Sequence, residues 1–146
     1  MKAIQPIMNA TQLHSKAKGS IGQLSVAQDL INRGYSVFTE LGDNSKVDLV
    51  AIKESQTIRI QVKYITPIKG SVNLHTRKSG PGYSFRYTVK QIDVFAVHVP
   101  GFDKILYVSS EELLRNKKQL NIRISNPKNK QNKGIHPWQN YTQFNF

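Results

Sequence analysis

Asp48 opens a run, Val47 to Lys53, that is otherwise built for burial. A carboxylate taken out of water is costly unless it is paired or holds a cation. After a turn come Gln61 and Lys63, two residues apart on an alternating stretch. On a strand they share one face, about 6.6–7 Å apart along it. These groups suit metal-assisted phosphodiester hydrolysis. The Asp48 carboxylate can bind a hard cation such as Mg2+, and the side-chain oxygen of Gln61 and the backbone carbonyl of Val62 can complete part of its shell. The Lys63 ammonium is placed to orient or help deprotonate the attacking water and to offset charge on the phosphate. The same residue types equally allow a plain alternative, a Lys63–Asp48 ion pair on an exposed face with Gln61 merely solvated. The chain has no cysteine, and His14, His75, His98 and His136 show no paired spacing. Any metal therefore falls to oxygen donors.

The elements that must position these groups are legible from periodicity. Residues 20–33 read as an amphipathic helix on Ile21, Leu24, Ala27, Leu30 and Ile31, with Ser20 as N-cap and Gly34 as the stop, and a start nearer Thr11 is compatible. Tyr35 to Glu40 reads as a short strand, and Gly42, Asp43 and Asn44 as a turn. Val47 to Lys53 is a second strand buried on both faces. Thr57 to Tyr64 is a third, with Ile58, Ile60, Val62 and Tyr64 on one side and Arg59, Gln61 and Lys63 on the other. Val72 to Arg77 and Tyr83 to Val89 read as a hairpin around SGPG, inserted over about residues 65–91. Ile92 to Val99 and Lys104 to Ser109 make two more strands, Glu111 to Asn116 a short helix capped by Ser109 or Ser110, and Leu120 to Ile124 an edge strand. The polar run Asn126 to Gly134 reads as a mobile loop, and Trp138 and Tyr141 as core or interface. The expected architecture is one mixed α/β domain over residues 1–146, with a basic segment over about 120–146.

Charge narrows the partner. The 146 residues carry 21 Lys plus Arg against 9 Asp plus Glu, a formal charge of +12. No acid lies between Glu54 and Asp93, where Arg59, Lys63, Lys69, Arg77, Lys78, Arg86 and Lys90 fall. None follows Glu112, where Arg115, Lys117, Lys118, Arg123, Lys128, Lys130 and Lys133 fall. Fourteen of the 21 cations thus sit in two blocks without local neutralisation, the pattern that attracts a polyanion and releases its counterions. A solvated basic surface or a ribosome-like tail is the bland reading of the same blocks. No apolar run approaches the roughly 20 residues of a membrane helix, and Met1 to Ala10 is too short and polar for a signal peptide. The expected setting is the cytoplasm, on the nucleoid if the host is bacterial, with no membrane partner.

Residues 18–63, KGSIGQLSVAQDLINRGYSVFTELGDNSKVDLVAIKESQTIRIQVK, resemble the catalytic core of the PD-(D/E)xK nucleases. They are most similar to the small group I intron-encoded homing endonucleases of that superfamily, and the likeness continues through QIDVFAVHVP and KILYVSS. The resemblance implies a restriction-endonuclease-like fold, with a mixed central sheet flanked by helices. It also implies a Mg2+-dependent cut in double-stranded DNA and a homodimer or homotetramer. It matches Asp48 to the family's metal-binding Asp and Lys63 to the family Lys. Gln61 stands where most relatives have Asp or Glu, though some intron-encoded members use Gln. Gln23 aligns with a helix Glu that usually faces the metals. With Gln at both places, Asp48 is the only matched carboxylate, a poor cage for a divalent ion, and the favoured expectation is a nuclease scaffold with catalysis impaired by Gln23. Gln23 can be natural in a weak or inactive nuclease, an engineered substitution that traps uncut DNA, or a position relieved by another acid such as Glu40 or Asp43.

The groove-reading element expected from the sequence is 69–90, since a two-stranded ribbon fits the B-DNA major groove. Alternation puts Tyr83, Phe85 and Tyr87 inward. It leaves Asn73, His75, Arg77, Lys78 and Arg86 for DNA, with Lys69 and Lys90 nearby and Lys128 and Lys130 as phosphate contacts. Two other functions remain open on the same scaffold: a non-catalytic DNA-binding protein and a Holliday-junction-type resolvase.

Overall fold

The computed structural model describes residues 4–9, 11–126 and 134–146. Its first helix, α1 (Ser15–Asn32), is followed by β1 (Ser36–Phe38), β2 (Leu49–Lys53) and β3 (Gln56–Tyr64). Then come β4 (Ser71–His75), β5 (Arg77–Gly80), β6 (Tyr83–Arg86), β7 (Val94–His98) and β8 (Leu106–Ser109). The chain ends with α2 (Ser110–Leu114), β9 (Gln119–Arg123), β10 (His136–Pro137) and a 3-10 turn, Trp138–Tyr141.

The central sheet runs β1-β2-β3-β7-β8. Only the β3–β7 pair is parallel, so the sheet is mixed as expected. α1 covers one face through Val26 and Leu30, which pack with Leu49, Ala51, Ile58, Ile60, Val62, Val94 and Ala96. The opposite face is covered by a second sheet, β10-β9-β4, and by α2. There Val72, Leu74, Leu120, Ile122 and Leu113 pack with Phe95, Val97, Leu106 and Val108. Strand β3 packs Ile58, Ile60 and Val62 against α1 and carries Arg59, Gln61 and Lys63 on its other side, where buried Gln61 must find a partner in the protein.

Four expectations need correction. The helix begins at Ser15, not Ser20: His14 is its N-cap, its Nδ1 accepting from the Lys16 amide at 3.3 Å, and Ser20 Oγ donates within the helix to the Lys16 carbonyl. The buried stripe is Gly22, Val26 and Leu30, whereas Leu24 and Ile31 are 71% and 59% exposed. The reason is Gly22: a Cβ there would lie 3.3 Å from Val62 Cγ1, so glycine lets the helix settle against β3 with that side down. The hairpin is shorter than expected. β5 pairs only with β6, and Val72 to His75 pairs antiparallel with β9. Buried Thr76 divides them. Its amide donates to the Lys118 carbonyl and its hydroxyl reaches the Lys117 and Lys118 carbonyls, which anchors β4 to β9. Consequently the strand at 119–123 is no edge; it lies between β10 and β4. Ser109 caps α2 as expected, accepting from the Glu112 amide at 3.1 Å, and Tyr141 is core. Most of the loop expected at 126–134, with Lys128 and Lys130, lies outside the described residues.

Candidate active site

The antiparallel register that sets Leu49 against Ile60 carries Asp48 to a position opposite Gln61. The Asp48 amide donates to the Ile60 carbonyl at 2.9 Å, and the Thr39 hydroxyl to the Asp48 carbonyl at 3.2 Å, so the backbone is held on both sides. Asp48 Oδ2 accepts from the Val62 amide at 2.8 Å and from Gln61 Nε2 at 2.7 Å. Gln61 Nε2 also reaches the Val62 carbonyl at 3.2 Å. Gln61 is only 8% exposed, so the solvated alternative does not hold. Neither does the Asp48–Lys63 ion pair: the salt bridges among the described residues are Arg33–Asp29 and Arg59–Asp93.

Lys63 instead donates to the Tyr87 hydroxyl, with its Nζ 4.6 Å from the Tyr87 ring centroid. Tyr87 follows β6, and its amide donates to the Thr76 carbonyl. Its ring is fixed edge-to-face between Phe85 (5.3 Å) and Phe95 (5.1 Å). An aromatic staircase thus runs from the hairpin into the sheet and ends on Lys63. Tyr87 was read from the sequence only as an inward aromatic. The available signal was its hydroxyl, because a buried phenol needs a partner.

Burial dominates the electrostatics. It raises the Asp48 carboxyl above its ordinary value, against the Val62 amide and the charges of Lys63 and Lys78, while Asp43 adds to the rise. It lowers the Lys63 ammonium to about 8; Lys78 adds to that and Asp48 opposes it. It also raises the Tyr87 hydroxyl, assisted by Asp48 and Tyr83. A buried carboxylate with a raised pKa beside a lysine with a lowered one is the kind of pairing that clusters at functional sites.

Among the described residues no three His, Cys, Asp or Glu side chains gather to hold a metal. The available oxygens are the Asp48 carboxylate, the Val62 carbonyl and the Gln61 amide oxygen. Gln61 presents its nitrogen to Asp48, and a half-turn of the amide would present its oxygen. This set fits Mg2+, which commonly takes one or two carboxylates and completes its shell with water and substrate phosphate. Neither alternative acid joins it. Glu40 accepts from the Asn44 and Ser45 amides and closes that turn, and Asp43 is exposed.

The other sequence-selected positions divide. Lys78 comes close enough to act on both Asp48 and Lys63. Asn73, His75 and Arg77 line one concavity with Lys63. Gln23 lines a groove with Leu24, Val37, Thr39 and Leu49, next to the Asp48 backbone that Thr39 holds, and no hydrogen bond ties it to Asp48 among the described residues. Arg86 Nη2 donates to the Leu114 and Asn116 carbonyls, at 2.7 and 3.0 Å. Lys69 and Lys90 are exposed.

Comparison with known proteins adds three findings. A family model described as PD-(D/E)XK endonuclease matches residues 13–144. The fold is similar to that of a bacterial homing endonuclease, with a TM-score of 0.75 and 18% identity over 88% of each chain. It is also similar to a Holliday junction resolvase from the archaeal hyperthermophile Archaeoglobus fulgidus, with a TM-score of 0.50 and 17% identity over 73% of this chain and 84% of that one. Among curated proteins, none matches.

Proposed function

The chain belongs to the PD-(D/E)XK endonuclease family, and on that premise we propose that it is a Mg2+-dependent, sequence-specific double-stranded DNA endonuclease of the homing type. The observation that carries the reading is the cluster of Asp48, Gln61 and the Val62 carbonyl on two adjacent strands, with Lys63 seated on Tyr87 beside it. Asp48, Gln61 and the Val62 carbonyl would hold the cation, which supplies Lewis acidity toward the scissile phosphate. Asp48 is pre-oriented by the Val62 amide, so its carboxylate needs no rearrangement to receive positive charge. Lys63, while protonated, offsets charge growing on the phosphate; its lowered pKa also lets it take a proton from the attacking water. Lys78, Arg77 and the acid-free segments around them draw the phosphate backbone to this face. Lys128 and Lys130 would contact phosphates farther along. A chain this small covers a short duplex, so a long site calls for a homodimer or homotetramer.

A junction resolvase is the second reading, supported by the likeness to the archaeal enzyme. The two separate on one assay: cutting of long linear duplex against a four-way junction of matched sequence, in Mg2+ and in EDTA. Preference for the linear site, abolished by EDTA, supports the homing reading. Preference for the junction overturns it.

A further inference from the structure

β4 and β9 are paired antiparallel over five positions, and each alternates cleanly. Val72 and Leu74 on one, and Leu120 and Ile122 on the other, are buried in the core. The opposite face therefore carries Ser71, Asn73 and His75, set against Arg123, Asn121 and Gln119. All six are polar or basic, and none is acidic. The strands belong to the two acid-free stretches of the chain, which gives the face charge complementarity to a polyanion. It also joins the candidate active site directly, since Asn73 and His75 line the concavity that holds Lys63. Gln119 Nε2 donates to Asn121 Oδ1 at 2.9 Å, so the two amides are already oriented.

We propose that this outer face of the β4–β9 ribbon is the base-reading surface of the protein, seated in the major groove of duplex DNA beside the cutting site. The proposal rests on the DNA-binding reading above and names its specificity element. Asn and Gln amides can bond bidentately to adenine, whereas Arg123 Nη1 donates to the Lys69 carbonyl at 3.3 Å. Five residues span about 14 Å, the length of about four base pairs. RNA duplex is disfavoured, because its deep, narrow major groove does not admit such a ribbon. The β5–β6 hairpin is a poorer reader. Arg86 is tied to the carbonyls of Leu114 and Asn116, and Arg77, directly opposite it, bonds Ser84 Oγ. That leaves the hairpin to brace Lys63 and to contact phosphates.

The test is selection from randomised duplex by the full chain, for the wild type and for Asn73→Ala, Asn121→Ala and Gln119→Glu. Asn121 is exposed, so its truncation spares the core, and thermal melting checks each variant. Each alanine variant is expected to bind the wild-type site about 5- to 150-fold more weakly, to lose preference at one or two adjacent base pairs, and to bind random duplex as before. Gln119→Glu keeps the shape and should weaken all duplexes through its charge. If the alanine variants select the wild-type site, or lose specific and random binding equally, the ribbon is not the reader. If the wild type enriches no sequence at all, the sequence-specific reading fails first and the ribbon proposal with it.

Discussion

Replacing Tyr87 by Phe removes one oxygen from a fully packed ring. The edge-to-face contacts with Phe85 and Phe95, at 5.3 and 5.1 Å, and the stacking of Lys63 Nζ 4.6 Å from the ring centroid all survive. What is lost is the hydroxyl partner of Lys63. A hydrogen bond to a charged group contributes about 1.5–3 kcal/mol. If all of that serves to hold Lys63 at the phosphate, the cleavage rate constant falls about 10- to 150-fold, at roughly 1.4 kcal/mol per tenfold. Affinity should not move, since Tyr87 is only 1% exposed and does not face the duplex. The assay is single-turnover cleavage of the selected duplex at saturating protein and Mg2+, with equilibrium binding measured in parallel. A double-mutant cycle with Lys63→Ala, read in thermal stability because that variant does not cut, should show Tyr87→Phe costing less without Lys63. An unchanged rate in the single variant, or an equal loss of stability with and without Lys63, refutes the positioning of Lys63 by Tyr87.

Gln23→Glu should raise Mg2+-dependent cleavage with little change in DNA affinity, because it adds a carboxylate to the groove whose Thr39 holds the Asp48 backbone. A Glu form no more active at saturating Mg2+ shows that the groove of Gln23 is separate from the site. Asp48→Asn should abolish cleavage and yet raise Tm at neutral pH, by about 2–4 °C for each kcal/mol of strain relieved. The sign follows from the raised carboxyl pKa: the folded state favours protonated Asp48, so the carboxylate costs stability above the folded pKa, and the gain should vanish as pH falls below the ordinary value of 3.8. Paired thermal melts at neutral and acid pH check this, and a gain that persists in acid contradicts it. Lys63→Ala should eliminate cutting and leave most binding, flattening the salt dependence by no more than about one unit; full activity in this variant excludes a catalytic Lys63.

Much of the site was legible because it depends on short-range pattern. Alternation in Thr57 to Tyr64 places Gln61 and Lys63 on one face, and a single turn between β2 and β3 brings Asp48 opposite Gln61. Their partners were harder to see. The Lys63–Tyr87 bond spans 24 residues and depends on the chain folding back after the hairpin. The pairing of β4 with β9 is longer-range still, and the SGPG turn nearby made the local hairpin the simpler expectation. Thr76 overrides that turn by bonding across to the Lys117 and Lys118 carbonyls. The rotation of α1 was hidden for a different reason. Hydrophobic spacing favoured Leu24 and Ile31, but close approach to Val62 selects the side that carries Gly22.

Cutting of DNA by Asp48, Gln61 and Lys63 with a divalent cation stands or falls on one experiment. The selected duplex is incubated with wild-type protein and with Asp48→Ala in a Mg2+ titration, and both strands are resolved on a denaturing gel. The wild type should cleave both strands at one site, rising with Mg2+ and stopped by EDTA, and Asp48→Ala should cleave neither despite bound DNA. Intact strands with saturated wild-type protein at every Mg2+ concentration, or equal cutting by Asp48→Ala, would rule out metal-dependent cutting at Asp48.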